Sequence, residues 1–487
     1  MAQIEFEAGH NCLGIAQAEA FSIIVDAEHY FRHARDAMTN ARRRISLIGW
    51  DFDARIAMDP EREEGDGPDH LGDFILWLVH RNPELEIFLL QWDYGLLKTL
   101  GRGTTVFTLW RWMRHPRIHV KFDSTHPPGA SHHQKIILID DSLAFVGGID
   151  MTAERWDTRD HIHDDPRRRR PATRRPYKPW HDATTAITGP VVDLVRQVAA
   201  ERWKRAGGKP EMVPLTSQSR YWPPELPIGF EQVPLAISRS APELDGRPAV
   251  LEIERVWLDL IACAKEHIYI ESQYFASRAI VAALERRLAE ADGPEIVVVN
   301  PEEAEGWLEP LAMDTARERL FSYLTRADTH GRFRLLHPYD SGGAPIYVHA
   351  KIMVVDDRYL KIGSANINNR SLRLDTECDV TLAAEPSQSD LQRKIAEVRN
   401  DLLAEHLDTD AETVASHLER TGSLIQTIEH LRGAGRTLKP YVKPDLNGIE
   451  KWLAENEILD PEGPDEMLEP LTQRGLFRGL RRHFQPQ

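Results

Sequence analysis

The chain has 487 residues, 41% hydrophobic and 28% charged, with a formal net charge of −16. That length has room for two or more domain-sized cores, and the acid excess argues against a broad nucleic-acid footprint, which needs clustered basic charge. No run of about 20 apolar residues suggests a membrane span, the first residues lack a secretory signal, and Cys12, Cys263 and Cys378 show neither disulfide nor metal-ligand spacing. A local cationic pocket for an anionic substrate remains compatible with this balance, and a reducing cytoplasmic location fits it.

In chain order, Ala20 to Arg44 carries apolar residues at helical spacing and ends in a basic cluster. Ile45 to Phe52 reads as a strand, followed by strands at Leu85 to Gln91 and Ile118 to Phe122. Residues 206–248 hold Gly207-Gly208, Pro223-Pro224 and Pro227, and read as an ordered linker. The plan then repeats: a helix over Leu251 to Lys265, then strands at Ile268 to Phe275, Ile296 to Asn300 and Phe333 to Leu336. Leu391 to His406 and Ala411 to Arg432 are candidate helices. The organisation expected is therefore a first unit over 1–205, the linker 206–248, a second unit over 249–405 and a helical appendage over 406–487. Strands alternating with helices argue α/β units, here duplicated.

Each unit carries the same stretch. His133, Lys135 and Asp140 are followed by Gly147-Gly148-Ile149-Asp150, and His349, Lys351 and Asp356 by Gly363-Ser364-Ala365-Asn366, with identical offsets. Four apolar residues separate Lys from Asp in both, the mark of a buried strand. His and Lys, two apart, share a face, while the Asp points the other way.

These are the HKD motifs of the phospholipase D superfamily, which the chain strongly resembles over roughly residues 20 to 405. Gly147 to Asp157, Pro179-Trp180-His181-Asp182 and Ile270 to Phe275 resemble the eukaryotic-type catalytic core, although Ser272 stands where that core commonly has Asn. The resemblance implies two pseudo-twofold-related domains, each a mixed sheet flanked by helices, with one active site at their interface. His133, Lys135, His349 and Lys351 would form it. His133 would be the nucleophile and His349 the general acid/base, an order the sequence does not fix.

One imidazole can attack phosphorus, and a second can protonate the leaving alcohol and then activate water. Two lysines supply positive charge to the phosphoryl oxygens. Asn366 is a further candidate donor, and Asp150 departs from that pattern. Asp140 and Asp356 look structural within the motifs. Glu377 and Asp157 are candidates for the acid that the family places after each motif to fix a histidine tautomer.

The activity implied is hydrolysis of glycerophospholipids to phosphatidic acid, with capacity for transfer to alcohols. Cardiolipin synthase-like transfer, a nuclease and a non-catalytic lipid scaffold are the alternatives. No cofactor and no metal are expected, the partner is phospholipid at a membrane surface with no nucleic acid, and both motifs in one chain imply a monomer. With no room before residue 20 for lipid-binding modules, recruitment through them is not expected. Arg167 to Arg170 with Arg174-Arg175 form a basic loop that either touches lipid headgroups or is simply solvated. Leu476, Leu480 and Phe484 fall at helical spacing, in either an interfacial segment or a short packed helix.

Overall fold

The computed structural model describes residues 3–61, 67–93, 104–215, 221–303 and 315–443. The tail pattern at Leu476, Leu480 and Phe484 lies outside them. In the first half, β1 (Gly14–Val25), α1 (Ala27–Thr39), β2 (Arg44–Gly49), α2 (Leu71–Arg81), β3 (Glu86–Trp92), α3 (Thr104–Arg114) and β4 (Ile118–Asp123) precede the first motif. That motif opens into β5 (Ile136–Ile139) and β6 (Leu143–Gly147), followed by β7 (Trp180–His181), β8 (Ala183–Thr188) and α4 (Val192–Arg205).

The second half repeats this with β9 (Phe230–Ala241), β10 (Val250–Leu251), α5 (Glu252–Cys263), β11 (His267–Ser272), α6 (Arg278–Ala289), β12 (Glu295–Val299), α7 (Thr315–Ala327) and β13 (Phe333–Tyr339). Then come β14 (Tyr347–Val348), β15 (Lys351–Val355), β16 (Tyr359–Gly363) and β17 (Glu377–Ala383). Helices α8 (Ser389–His406), α9 (Ala411–Thr421) and α10 (Leu424–Leu431) and strand β18 (Thr437–Pro440) close the described chain.

The order in the first half is β4-β3-β2-β5-β6-β8-β1, and in the second β13-β12-β11-β15-β16-β17-β9. Strand for strand, and in parallel or antiparallel sense, these match. The halves join through the antiparallel pair β1–β9, so one mixed sheet runs through both.

Alternation along the motif strands decides which core each side chain enters. Ile136 and Leu138 of β5, with Ile352 and Val354 of β15, enter one core shared by the two halves. Ile137 and Ile139 face a separate core with α1 and α2, and Met353 and Val355 face one with α5 and α6. The period of two expected of a strand is thus used on both faces.

Three sequence expectations need correction. The helix expected from Ala20 starts at Ala27, because Ile23-Ile24-Val25 extends β1 and Asp26 breaks it with φ 64°. The linker read over 206–248 contains β9, twelve residues at the centre of the sheet. The candidate helix Ala411 to Arg432 is two, divided at Gly422, whose φ of 62° ends α9.

Candidate active site

Each motif strand turns back through two aspartates of positive φ, Asp140-Asp141 (51° and 52°) and Asp356-Asp357 (50° and 53°). Positive φ at both central residues is the I′ hairpin geometry, which Asp tolerates. The turns close through Ser142 N–H to Ile139 C=O and Arg358 N–H to Val355 C=O. The Asp140 carboxylate accepts from the backbone N–H groups of Arg42, Arg43 and Arg44 at 2.7–2.8 Å, which pins the start of β2. Asp356 does the same for Lys265, Glu266 and His267 at the start of β11. At about 3.3 Å per residue, seven residues put these aspartates some 20 Å from the histidines. Asp140 and Asp356 are hairpin fasteners and lie outside the site.

The other ends of the strands meet. The rings of His133 and His349 lie 6.5 Å apart, centroid to centroid. His133 Nδ1 is 2.9 Å from Glu377 Oε1 and 3.1 Å from the Ser364 carbonyl, while Ser364 Oγ donates to Glu377 at 2.5 Å. His349 Nδ1 is 2.6 Å from Asp182 Oδ2, and its ring leans on Trp180 at 5.2 Å. The acids are therefore exchanged between halves: Glu377 of the second half serves His133, and Asp182 of the first serves His349. Asp157 serves neither. It accepts from Trp180 N–H at 2.8 Å and Arg168 at 2.8 Å, and pairs with His161.

Asp182 is the residue that sequence reasoning did not assign. The sheet register gives the signal. Gly147 pairs with Thr184 and Gly363 with Asp379, so Asp182 and Glu377 are equivalent, each two residues before its partner. The backbone repeats the relation: His133 N–H donates to Thr376 C=O and His349 N–H to His181 C=O. Gly148 explains the exchange of Asp for Glu. A Cβ there would collide with Asp182 Oδ1, whereas the equivalent Ser364 reaches the longer Glu377 with its hydroxyl.

Lys135 Nζ donates to the His133 carbonyl at 2.8 Å and sits 3.2 Å from Asp150 Oδ2. Lys351 Nζ donates to the His349 carbonyl. Its half carries Asn366 where the first carries Asp150, and Asn366 Oδ1 is buried without a hydrogen-bond partner. Burial lowers Lys351 to about 7, with Asp182 opposing. Burial, then the two lysine cations, push His133 well below the usual imidazole range. Burial, then Lys351 and Arg155, do the same to His349. Burial also raises the Glu377 carboxyl, with Lys135 and the Ser364 hydroxyl opposing. With those two groups beside it, the physically consistent state is a carboxylate accepting from His133 Nδ1–H, which leaves the Nε2 lone pair of a neutral ring.

The basic loop is largely paired within the protein. Arg168 is buried against Asp157, Arg167 binds Asp165 and Glu61, and Arg170 binds Glu154. Among the described residues no helix is long and apolar enough to cross a membrane.

Residues 257–399 match the family model described as cardiolipin synthase, PLD-like domain. The chain is 24% identical to phospholipase D alpha 1 of Carica papaya over 72% of its own length and 59% of that protein's. It is 25% identical to phospholipase D A of Dictyostelium discoideum, again over 72% of its length but 32% of the relative's. The chain thus spans about three-fifths of the plant relative's length. In fold it is similar to the phosphatidylserine synthase of Haemophilus influenzae, with a TM-score of 0.51 at 15% identity over 79% of this chain and 86% of that one. Two matching mixed half-sheets, joined at β1–β9 and bringing their His/Lys motifs together, are the architecture shared with that structure. These matches support the chain as a member of the phospholipase D superfamily.

Proposed function

We propose that the protein is a phospholipase D that cleaves glycerophospholipids to phosphatidic acid and a free headgroup through a phosphohistidine. The observation that carries this reading is the pair of imidazoles facing one another, each held at Nδ1 by a carboxylate from the opposite half and each followed by a lysine. A carboxylate on Nδ1 fixes the tautomer and leaves Nε2 for chemistry.

In this reading His133 Nε2 attacks phosphorus. The P–O bond to the headgroup breaks, and the departing oxygen takes a proton from His349. Burial disfavours the His349 imidazolium in the free site, but an entering phosphodiester brings a negative charge that favours it. Neutral His349 then removes a proton from water, whose oxygen displaces His133. Lys135 and Lys351 face the charge that develops on the phosphoryl oxygens.

The test is a butanol titration with defined phosphatidylcholine. A histidine adduct lets butanol compete with water, so phosphatidylbutanol should grow at the expense of phosphatidic acid while choline release continues. Active hydrolysis with no phosphatidylbutanol at any concentration would count against the covalent intermediate. The second reading, phosphatidyl transfer in the manner of a cardiolipin synthase, is favoured by the family model that matches 257–399. With phosphatidylglycerol as sole lipid it would release glycerol and form cardiolipin, where a hydrolase forms phosphatidic acid.

A further inference from the structure

Directly behind the histidine pair lies a second cluster of ionisable groups that the reaction above does not use. Asp26 ends β1, His161 lies in the loop between β6 and β7, His181 ends β7, and Glu405 is near the end of α8. All four side chains are essentially excluded from solvent. One donor atom from each falls within 4.8 Å of the other three. Glu405 Oε1 is 3.1 Å from His161 Nε2 and 2.7 Å from His181 Nδ1. Asp26 Oδ2 is 3.6 Å from His161 Nε2, and its Oδ1 is 3.4 Å from His181 Nδ1. Ligands at about 2.0–2.1 Å from a tetrahedral ion stand roughly 3.3 Å from one another.

One atom aimed into this space, Asp26 Oδ2, lacks a hydrogen bond, and His181 Nδ1 finds only the Glu405 and Asp26 carboxylates. Buried polar atoms seldom stay unpaired without a reason. The outward nitrogens are anchored as those of metal-ligating histidines are. His161 Nδ1 is 2.9 Å from Asp157, and His181 Nε2 is 2.8 Å from Glu271. The far oxygen of Glu405 accepts from Arg159 at 2.6 Å. The charge balance has the same sense. Asp26, Asp157, Glu271 and Glu405 bring four negative charges, and Arg159 and Arg168 return two. Without an ion the surrounding carboxylates hold both imidazoles protonated, so a divalent ion would replace those two protons charge for charge.

We propose that Asp26, His161, His181 and Glu405 form a buried tetrahedral zinc site. Two imidazoles with two carboxylates in a closed, four-donor arrangement suit zinc better than calcium or magnesium, which prefer more oxygen ligands. Its role is to position the active site from behind. Asp26 Oδ1 accepts from Asp182 N–H at 3.0 Å, and the His181 carbonyl accepts from His349 N–H at 2.7 Å. The ion would fix the acid that orients His349, and would tie α8 to the first half. The sequence carries no spacing signature because the ligands come from positions 26, 161, 181 and 405.

The experiment is elemental analysis of the full chain purified without chelator, beside the His133→Ala, Asp26→Asn and His161→Gln variants. Close to one zinc per chain is expected in wild type and in His133→Ala, falling at least fivefold in the other two. Should those two fail to fold, wild type alone decides. Extraction with dipicolinate should lower the melting temperature by at least 5 °C, and micromolar Zn2+, unlike Mg2+ or Ca2+, should restore it. Two results overturn the site: zinc unchanged in folded Asp26→Asn and His161→Gln, or wild type that is metal-free as purified with no thermal shift on adding Zn2+. Neither readout requires turnover, so the site stands or falls separately from the lipid reaction.

Discussion

At the scale of single residues, the two halves are alike in plan and unlike in charge. Lys135 has Asp150 beside it, whereas Lys351 has an amide at the equivalent position and is held by burial at about 7. Its cation is present below that pH and lost above it. The value of kcat/KM, which reports the free enzyme, should therefore fall as pH rises through about 7. In Lys351→Arg, whose guanidinium does not deprotonate, that fall should vanish even if the maximum drops. A Lys351→Arg profile that still falls at the same pH would assign the titration elsewhere. Asp182→Asn and Glu377→Gln should each lower kcat by roughly 10²–10⁴ with little change in KM, since each acts through a histidine. Near-normal kcat in either would remove its orienting role.

The four motif residues were legible as residue types at matched offsets, and Glu377 as an acid after the second motif. Asp182 was hidden because the first half interposes a long loop between motif and acid. Glu377 follows His349 by 28 residues and Asp182 follows His133 by 49, so the nearer Asp157, 24 residues past His133, stands out instead. Only the strand register removes that ambiguity.

Among the elements, the motif hairpins are the most economical. One carboxylate makes a I′ turn and satisfies three backbone N–H groups. Asp140→Ala and Asp356→Ala should each cost on the order of 3 kcal/mol, since three donors lose a charged acceptor. Urea unfolding measures this, while kcat of the folded fraction should stay within a few-fold. A large loss of kcat at unchanged stability would return these residues to the catalytic set. Strand β9 was illegible because Gly207-Gly208, Pro223-Pro224 and Pro227 give the whole stretch a linker's composition, and β9 itself carries Pro234. In the register Pro234 faces Gln17 on β1 and lies beyond the last β17 pair, Leu235 with Leu382, so only one side of the strand asks for its N–H.

Helix α3 exposes Phe107, Trp110 and Met113 on one face, with Arg114 over the Trp110 ring. Apolar rings beside arginines suit a lipid interface. The double variant Phe107→Ser, Trp110→Ser should lose at least tenfold activity on vesicles and keep activity on a monomeric short-chain lipid. Equal loss on both substrates would make the face a structural one.

For the molecule as a whole, the duplication was legible from paired strands and motifs, but the exchange of acids was not, because it depends on how the halves dock. Glu377 crosses to His133 and Asp182 to His349, over a core that both half-sheets fill. Neither half expressed alone should turn over lipid, and the two co-expressed as separate chains should recover measurable activity. Activity in an isolated half would contradict a single shared site.

The β1–β9 seam also bears on how the protein is made. The ribosome releases β8 well before β9, and β17 roughly 200 residues after β8, about 10–40 s later at ordinary elongation rates. Until β9 follows, the nascent first half shows a twelve-residue strand edge, and until β17 follows, part of the apolar face that the second half-sheet covers. The emerging chain is then most exposed to association with its neighbours on the same messenger. Chaperone binding to the growing polypeptide should accordingly peak after β8 emerges and decline once β17 has followed.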